Sequence, residues 1–249
     1  MKIPSLRTSF LIAAICLALP AQATPATPTG APAADLDLSI AYYSRVLTPE
    51  GVTREIRYEE KMLRRPGHVW VTRVLQKNLH DRHKYEIGDQ NDKQDVALKT
   101  KGHVHKNFNY VVLARHVILE NNKLRVEFIN THDKESVAIP VSEYDNVNFD
   151  GSWENAFYLL DPRVVNAMPL SARSSSVPGT RWREREEKGL FQRVLWNDQK
   201  QIPLIIESGD KASTFYRRVE VKLQTSVSRD VPWQNLKGYA QKEYADFLD

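Results

Sequence analysis

Apolar residues recur at every second position through much of this chain. From Leu190 to Leu223 two tight polar turns separate three runs, and in the last run Phe215, Arg217, Val219, Val221 and Leu223 alternate with Tyr216, Arg218, Glu220 and Lys222. A period of two gives a strand one apolar and one wet face, and three such strands with short connections read as an antiparallel meander. The N-terminal part repeats the pattern. Leu36, Leu38, Ile40, Tyr42 and Val46 form one strand, and Pro49-Glu50-Gly51 turns into a second that carries Val52, Ile56, Tyr58 and Met62 against Thr53, Glu55, Arg57, Glu59 and Lys61. After Pro66-Gly67 a third runs from His68 to Gln76. Further strands are expected within Asn109 to Glu120, Leu124 to Asn130 and Ser136 to Val141, joined by Asn-rich or polar turns. The strand around Trp182 is charged on both sides, with Arg181, Arg183 and Arg185 beside Glu184 and Glu186, so it reads as an edge guarded by charge pairing.

Two stretches break the alternation. Ser152 can cap a short helix in which Trp153, Phe157 and Leu160 share a stripe, and a second helical piece follows Pro162 through Val164, Val165 and Met168. Short apolar helices in a strand-rich chain are suited to serve as a lid, since a sheet with one apolar face must have it covered. The last residues, with Leu236, Tyr239, Tyr244 and Phe247, are expected to dock as a terminal helix or arm.

The ends and the charge narrow the setting. Lys2 and Arg7 precede an apolar run from Phe10 to Leu19, and Ala21-Gln22-Ala23 offers a small-x-small cleavage site, so residues 1–23 read as a signal peptide. Residues 24–34, rich in Pro, Ala and Thr, read as a disordered tether, and 35–249 as one β-rich domain. Without Lys2 and Arg7 the 35 cations become 33 against 31 acids, which disfavours a nucleic-acid partner. Cys16, the sole cysteine, lies in the signal segment; a mature chain with no disulfide behind a short signal suits a bacterial periplasm.

Candidate chemistry concentrates in a polar loop at 77–106, which holds His80, His83, His103 and His105. His103 and His105 share a face of an extended segment, and His80 and His83 share one on a helical turn. Four imidazoles could hold zinc or copper(II), while solvated histidines are the plain alternative. His116 falls inside an apolar strand, as a hydrogen-bonded structural residue would. No nucleophile turn, Ser-His-Asp order or His-Glu-x-x-His pattern appears, so no catalytic residue can be named.

The run from Arg193 to Val221, RVLWNDQKQIPLIIESGDKASTFYRRVEV, resembles the strand, polar turn, apolar-Pro-apolar strand, polar turn, strand pattern of the LolA/LolB-type lipoprotein carriers. The resemblance covers Gln192 to Leu223 and extends to Leu36 to Gln76. It departs from that family in lacking an opening amphipathic helix and in carrying the histidine loop. It implies a strongly curved antiparallel sheet forming an incomplete barrel, closed by helices around a cavity for acyl chains. The expected function is then a non-catalytic periplasmic binding or carrier protein for an acyl chain or lipoprotein, with a membrane surface as a further partner. Tyr42, Ile56, Tyr58, Trp70, Trp182, Trp196, Ile202, Leu204 and Phe215 are the candidate lining residues; a dry core built from the same residues is the competing reading. A periplasmic zinc- or copper-binding protein using the histidine loop is the second expectation.

Overall fold

The alternation along the first strand is reproduced in its surroundings. In the computed structural model, which describes residues 34–75 and 108–247, β1 (Leu36–Leu47) buries Leu36, Leu38 and Ile40 on one face, and exposure rises steadily toward Val46. β1 pairs on one side with β2 (Thr53–Arg65) and on the other with β10 (Phe215–Leu223). Two meanders meet at this strand. One continues through β3 (His68–Arg73), β4 (Ala114–Glu120), β5 (Lys123–Asn130) and β6 (Glu135–Ile139). The other runs from β7 (Thr180–Glu187) through β8 (Leu190–Asn197) and β9 (Ile202–Asp210) to β10. The result is one open sheet of eleven strands in the order β11-β6-β5-β4-β3-β2-β1-β10-β9-β8-β7.

Turn chemistry agrees with the sequence. Asn121 and Asn122 both take positive φ between β4 and β5, and Lys188-Gly189 does the same between β7 and β8, as tight hairpins require. A bulge at Leu195/Trp196 shifts the register of β8 on β9 where Pro203 stands.

The sheet curves around its core. Side chains from eight adjacent strands, β6 through β9, join one buried cluster. A flat sheet would spread them over about 34 Å, seven steps of roughly 4.8 Å. The concave face carries Leu36, Leu38, Ile40, Met62, Val69, Val71, Val117, Val126 and Phe128, and its lid is short. Helix α1 (Trp153–Tyr158) begins where the Ser152 hydroxyl accepts from the Asn155 N–H at 3.0 Å, and it buries Phe157. Helix α2 (Pro162–Ala167) is capped by Asp161 and covers Val194 and Trp196 of β8 through Val165 and Met168. Both helices expected from the break in alternation are present.

Among the described residues the C-terminal arm supplies the one departure from an antiparallel sheet. After β10 the chain crosses the convex face, places Trp233, Leu236 and Tyr239 over Trp70, Ala114 and Ile129, and adds β11 (Ala240–Glu243) parallel to β6. Tyr244 and Phe247 then pack on the concave side against Phe108. The arm arrives at the β6 edge from the far side of the sheet, so a hairpin is impossible and the last strand runs parallel. The sheet is therefore mixed. Asp37 and Arg65 hold the start of the arm: they ion-pair at 2.8 Å, Asp37 accepts from the Ser228 N–H, and Arg65 donates to the Ser228 carbonyl.

Under the arm lies a histidine pair that no local pattern announces. His68 and His116 sit 48 residues apart, and their Nδ1 and Nε2 atoms are 3.1 Å from each other. Trp233 stacks on both rings at 5.1 and 5.3 Å, and Trp70 closes the side. His116 Nδ1 is buried without a partner. A bare ring lone pair in that position costs less than an orphaned N–H, which assigns His116 Nε2–H as donor and His68 Nδ1 as acceptor. Burial, with His68 and Arg125 nearby, pulls His116 down to about 3. Burial chiefly, with Arg125 adding and Glu120 opposing, lowers His68 as well.

Both histidines are thus neutral in the fold at neutral pH. Below about pH 6.5 the unfolded chain takes up protons that folded His116 refuses until near pH 3, so stability falls across that window by about 1.4 kcal/mol per pH unit from this residue. Thermal melts from pH 8 to 4 should show a decline that is shallower by roughly one proton in His116→Phe. Identical slopes for the two proteins would show that His116 is free to protonate in the fold.

Candidate functional site on the concave face

The concave face divides into a covered and an uncovered half. Toward the start of β1 the cross-strand row Leu223, Leu38, Met62, Val71, Arg115, Phe128, Val137 is buried apart from its two half-exposed members, Leu223 and Arg115. Arg64 closes this half beneath the lid. It is wholly buried, its guanidinium lies over the rings of Phe157 and Tyr158, and it donates to the carbonyls of Ala34 and Lys200.

Beyond Tyr42 the cover ends. The register pairs Tyr42 with Tyr58 and Val219, Ser44 with Ile56 and Arg217, and Val46 with Arg54 and Phe215, all on the concave face. Tyr42 and Tyr58 stack at 4.4 Å. Ile56 is 60% exposed and Val46 42% exposed, and among the described residues no element lies over this stripe. An apolar strip continuous with the core and open to solvent is the feature a ligand would cover.

Cations surround it. Arg73 lies 3.4 Å over the Tyr58 ring and reaches Glu60 at 3.5 Å. Burial and Glu60 raise the Tyr58 hydroxyl, and Arg73, Arg115 and Arg217 each oppose that rise. For Tyr42, burial is the main upward push, Glu60 adds to it and Arg115 opposes it. The two phenols remain neutral, and three guanidinium groups stand within electrostatic reach of them with a single carboxylate.

Two clefts flank the site. One of about 390 Å³ opens beside Arg115 and is lined by Asp145, Asn148, Phe149, Asp150, Asn155 and Ala156. The other, about 730 Å³, is lined by Ala41, Tyr43, Arg57, Glu59, Arg218 and Glu220 of the convex face together with Tyr42, Tyr58, Arg73, Val74 and Leu75. Arg57 and Arg218 there are already ion-paired, with Glu55 and with Glu207 and Glu220.

The expected lining residues separate by face. Tyr42, Ile56, Tyr58 and Phe215 come together on the uncovered half. Ile202 and Leu204 belong to the packed core, and Trp196 is buried under α2. Trp70 and Trp182 stand on the convex face, since their cross-strand partners Leu63 and Leu195 are neighbours of the concave Met62 and Val194. His80, His83, His103 and His105 lie outside the described residues, and within these no three His, Cys, Asp or Glu side chains converge as a metal site. Arg115 escaped sequence reading, because an arginine in an alternating strand looks like a solvated residue until register shows which neighbours share its face; Arg217 falls on the Phe215–Val219 face by alternation alone, but its concave neighbours on β1 follow only from register.

No protein-family model matches the chain, and no curated protein matches it in sequence. Among solved structures it is similar to PNGF-II, at 9% identity and a TM-score of 0.34, over 85% of this chain but about a third (32%) of that one. It is also similar to a protein domain named for outer membrane lipoprotein sorting from Vibrio parahaemolyticus, at 11% identity, a TM-score of 0.30, and 81% and 91% coverage of the two chains. A third likeness is to a DUF1329 family protein from Desulfovibrio piger, at 8% identity, a TM-score of 0.31, and 78% and 88% coverage. What the site can bind rests on its own side chains.

Proposed function

We propose that this protein is a non-catalytic binding or carrier module that holds an acyl chain, free or as part of a lipoprotein, along the uncovered half of its concave face. One observation carries the reading: Val46, Ile56 and Phe215 extend the apolar core past its lid into solvent on the same face as the Tyr42–Tyr58 stack. Folding leaves this strip wet, and an aliphatic chain laid on it would recover about 25 cal/mol for each Å² removed from water. A periplasmic setting, with delivery through a cleaved signal peptide, fits the N-terminal sequence pattern and a cargo of this kind.

Titration of lipid-stripped protein with an environment-sensitive fluorescent fatty acid should give saturable binding at one site. Ile56→Asp, at a solvent-exposed position, should leave the melting temperature within about 2 °C and weaken that binding at least tenfold, a loss of about 1.4 kcal/mol. Absence of saturable binding, or an undiminished affinity in the variant, would remove the strip as the binding surface.

A further inference from the structure

Within that reading, the charge on the concave face names the class of ligand. Register places Arg54, Arg73, Arg115 and Arg217 on the concave face of β2, β3, β4 and β10, and Glu60 is the one carboxylate that these four strands and β1 set among them. The convex face of the same strands differs: its cations are interleaved with the acids Asp37, Glu55, Glu59 and Glu220, and three of them are ion-paired, Arg65 with Asp37, Arg57 with Glu55, and Arg218 with Glu220 and with Glu207 of β9. The two faces of one sheet therefore have different charge, and the excess of positive charge lies on the face with the open apolar strip.

Arg115 is the most informative of the four. Its cross-strand neighbours on either side are Val71 and Phe128, and its row continues to Met62, Leu38 and Val137. Its Nε is buried with no hydrogen-bond partner, and among the described residues its guanidinium has no ion pair. A cation held in an apolar row without a counter-ion costs stability, and a well-packed aliphatic residue would serve the fold at least as well. The cleft of about 390 Å³ opens beside it, so an entering group has room to reach the guanidinium; Asp145 and Asp150 also line this cleft, and Asp150 is engaged by the Ser152 N–H and the Asn155 amide. Arg73 is held in place nearby by its stack on Tyr58.

We propose that the site selects anionic amphiphiles: Arg115, assisted by Arg73, takes the carboxylate or phosphate of the head group, and the aliphatic chain lies along Tyr42, Tyr58, Ile56 and Phe215 toward Val46. The guanidinium fork suits either oxyanion, and bidentate pairing in a partly desolvated row is stronger than at an exposed surface. Arg217 and Arg54, farther out on the same face, add long-range attraction for an anion on approach.

Calorimetric titration of the full chain with dodecanoate, dodecyl phosphate and dodecan-1-ol at pH 8 tests this. Both anions should bind at least tenfold more tightly than the alcohol, and the tighter of the two identifies the head group as that of a fatty acid or of a phosphorylated lipid. In Arg115→Leu the preference for anions should fall at least fivefold while the alcohol's affinity stays within twofold, and the melting temperature should hold or rise. Arg115→Lys, which keeps the charge, should retain part of the preference, and it stands in if the leucine variant fails to fold. Equal binding of acid and alcohol by the unaltered protein overturns this inference alone, as does a preference that survives Arg115→Leu. Failure of all three compounds to bind overturns the carrier reading together with it.

Discussion

The pairing of β1 with β10 decides almost everything else in the molecule. Those strands lie about 180 residues apart in the chain, yet nine consecutive pairs from Leu38–Leu223 to Val46–Phe215 join them. Without that ladder the chain would be two separate meanders, each with an apolar face too small to bury alone. With it, the inward side chains of β6 through β9 form one core, and a register slip of one residue would turn Leu38, Ile40 and Tyr42 out to solvent. Closing a ladder between such distant segments carries a large loop entropy, so β1 is expected to join β10 late in folding, after the local hairpins.

Once the sheet is single and curved, its two faces are covered by different means. The convex face is strapped by the C-terminal arm, with Trp233 stacked on a neutral histidine pair and the arm's start held by Asp37 and Arg65. The concave face receives two one-and-a-half-turn helices, enough to cover Phe157 and its surroundings and α2's patch on β8 but too short to reach the ends of β1, β2 and β10. Among the described residues the strip is left without a cover because the lid is short. Arg54, Arg115 and Arg217, which have no ion pair among the described residues, stand on this same face, where Glu60 is the one carboxylate of the central strands, and this joins the packing to the proposed function.

Much of this architecture is legible in the sequence, because a period of two and turn residues at Asn121-Asn122 and Lys188-Gly189 are local signals. Ser152 and Pro162 likewise announce the two short helices, and Ser152 caps the first through the bond its side-chain type predicts. What depends on pairing between distant segments is not legible. Trp70 and Trp182 are large and apolar, as cavity residues should be, but which face they take follows from register across β2–β3 and β7–β8, and it sets them opposite Tyr42. The parallel β11 follows from the arm's path over the sheet, which four residues of sequence do not encode. His116 reads correctly as a structural residue inside a strand, while its partner, 48 positions earlier, does not. Arg115 stays hidden for the same reason: in ARHVILE its own face is Val117 and Leu119, a clue that gains meaning only once Val71 and Phe128 are known to flank it.

Whether the ligand lies on the concave face beyond the Tyr42–Tyr58 stack can be read from chemical-shift mapping of the isotope-labelled protein with dodecanoate. Shifts are expected in the Ile56 and Val46 methyls, the Phe215 ring and the Arg115 side chain, with the Trp70 and Trp182 indoles unchanged. Shifts confined to Trp70, Trp182 and their convex-face neighbours would contradict that placement.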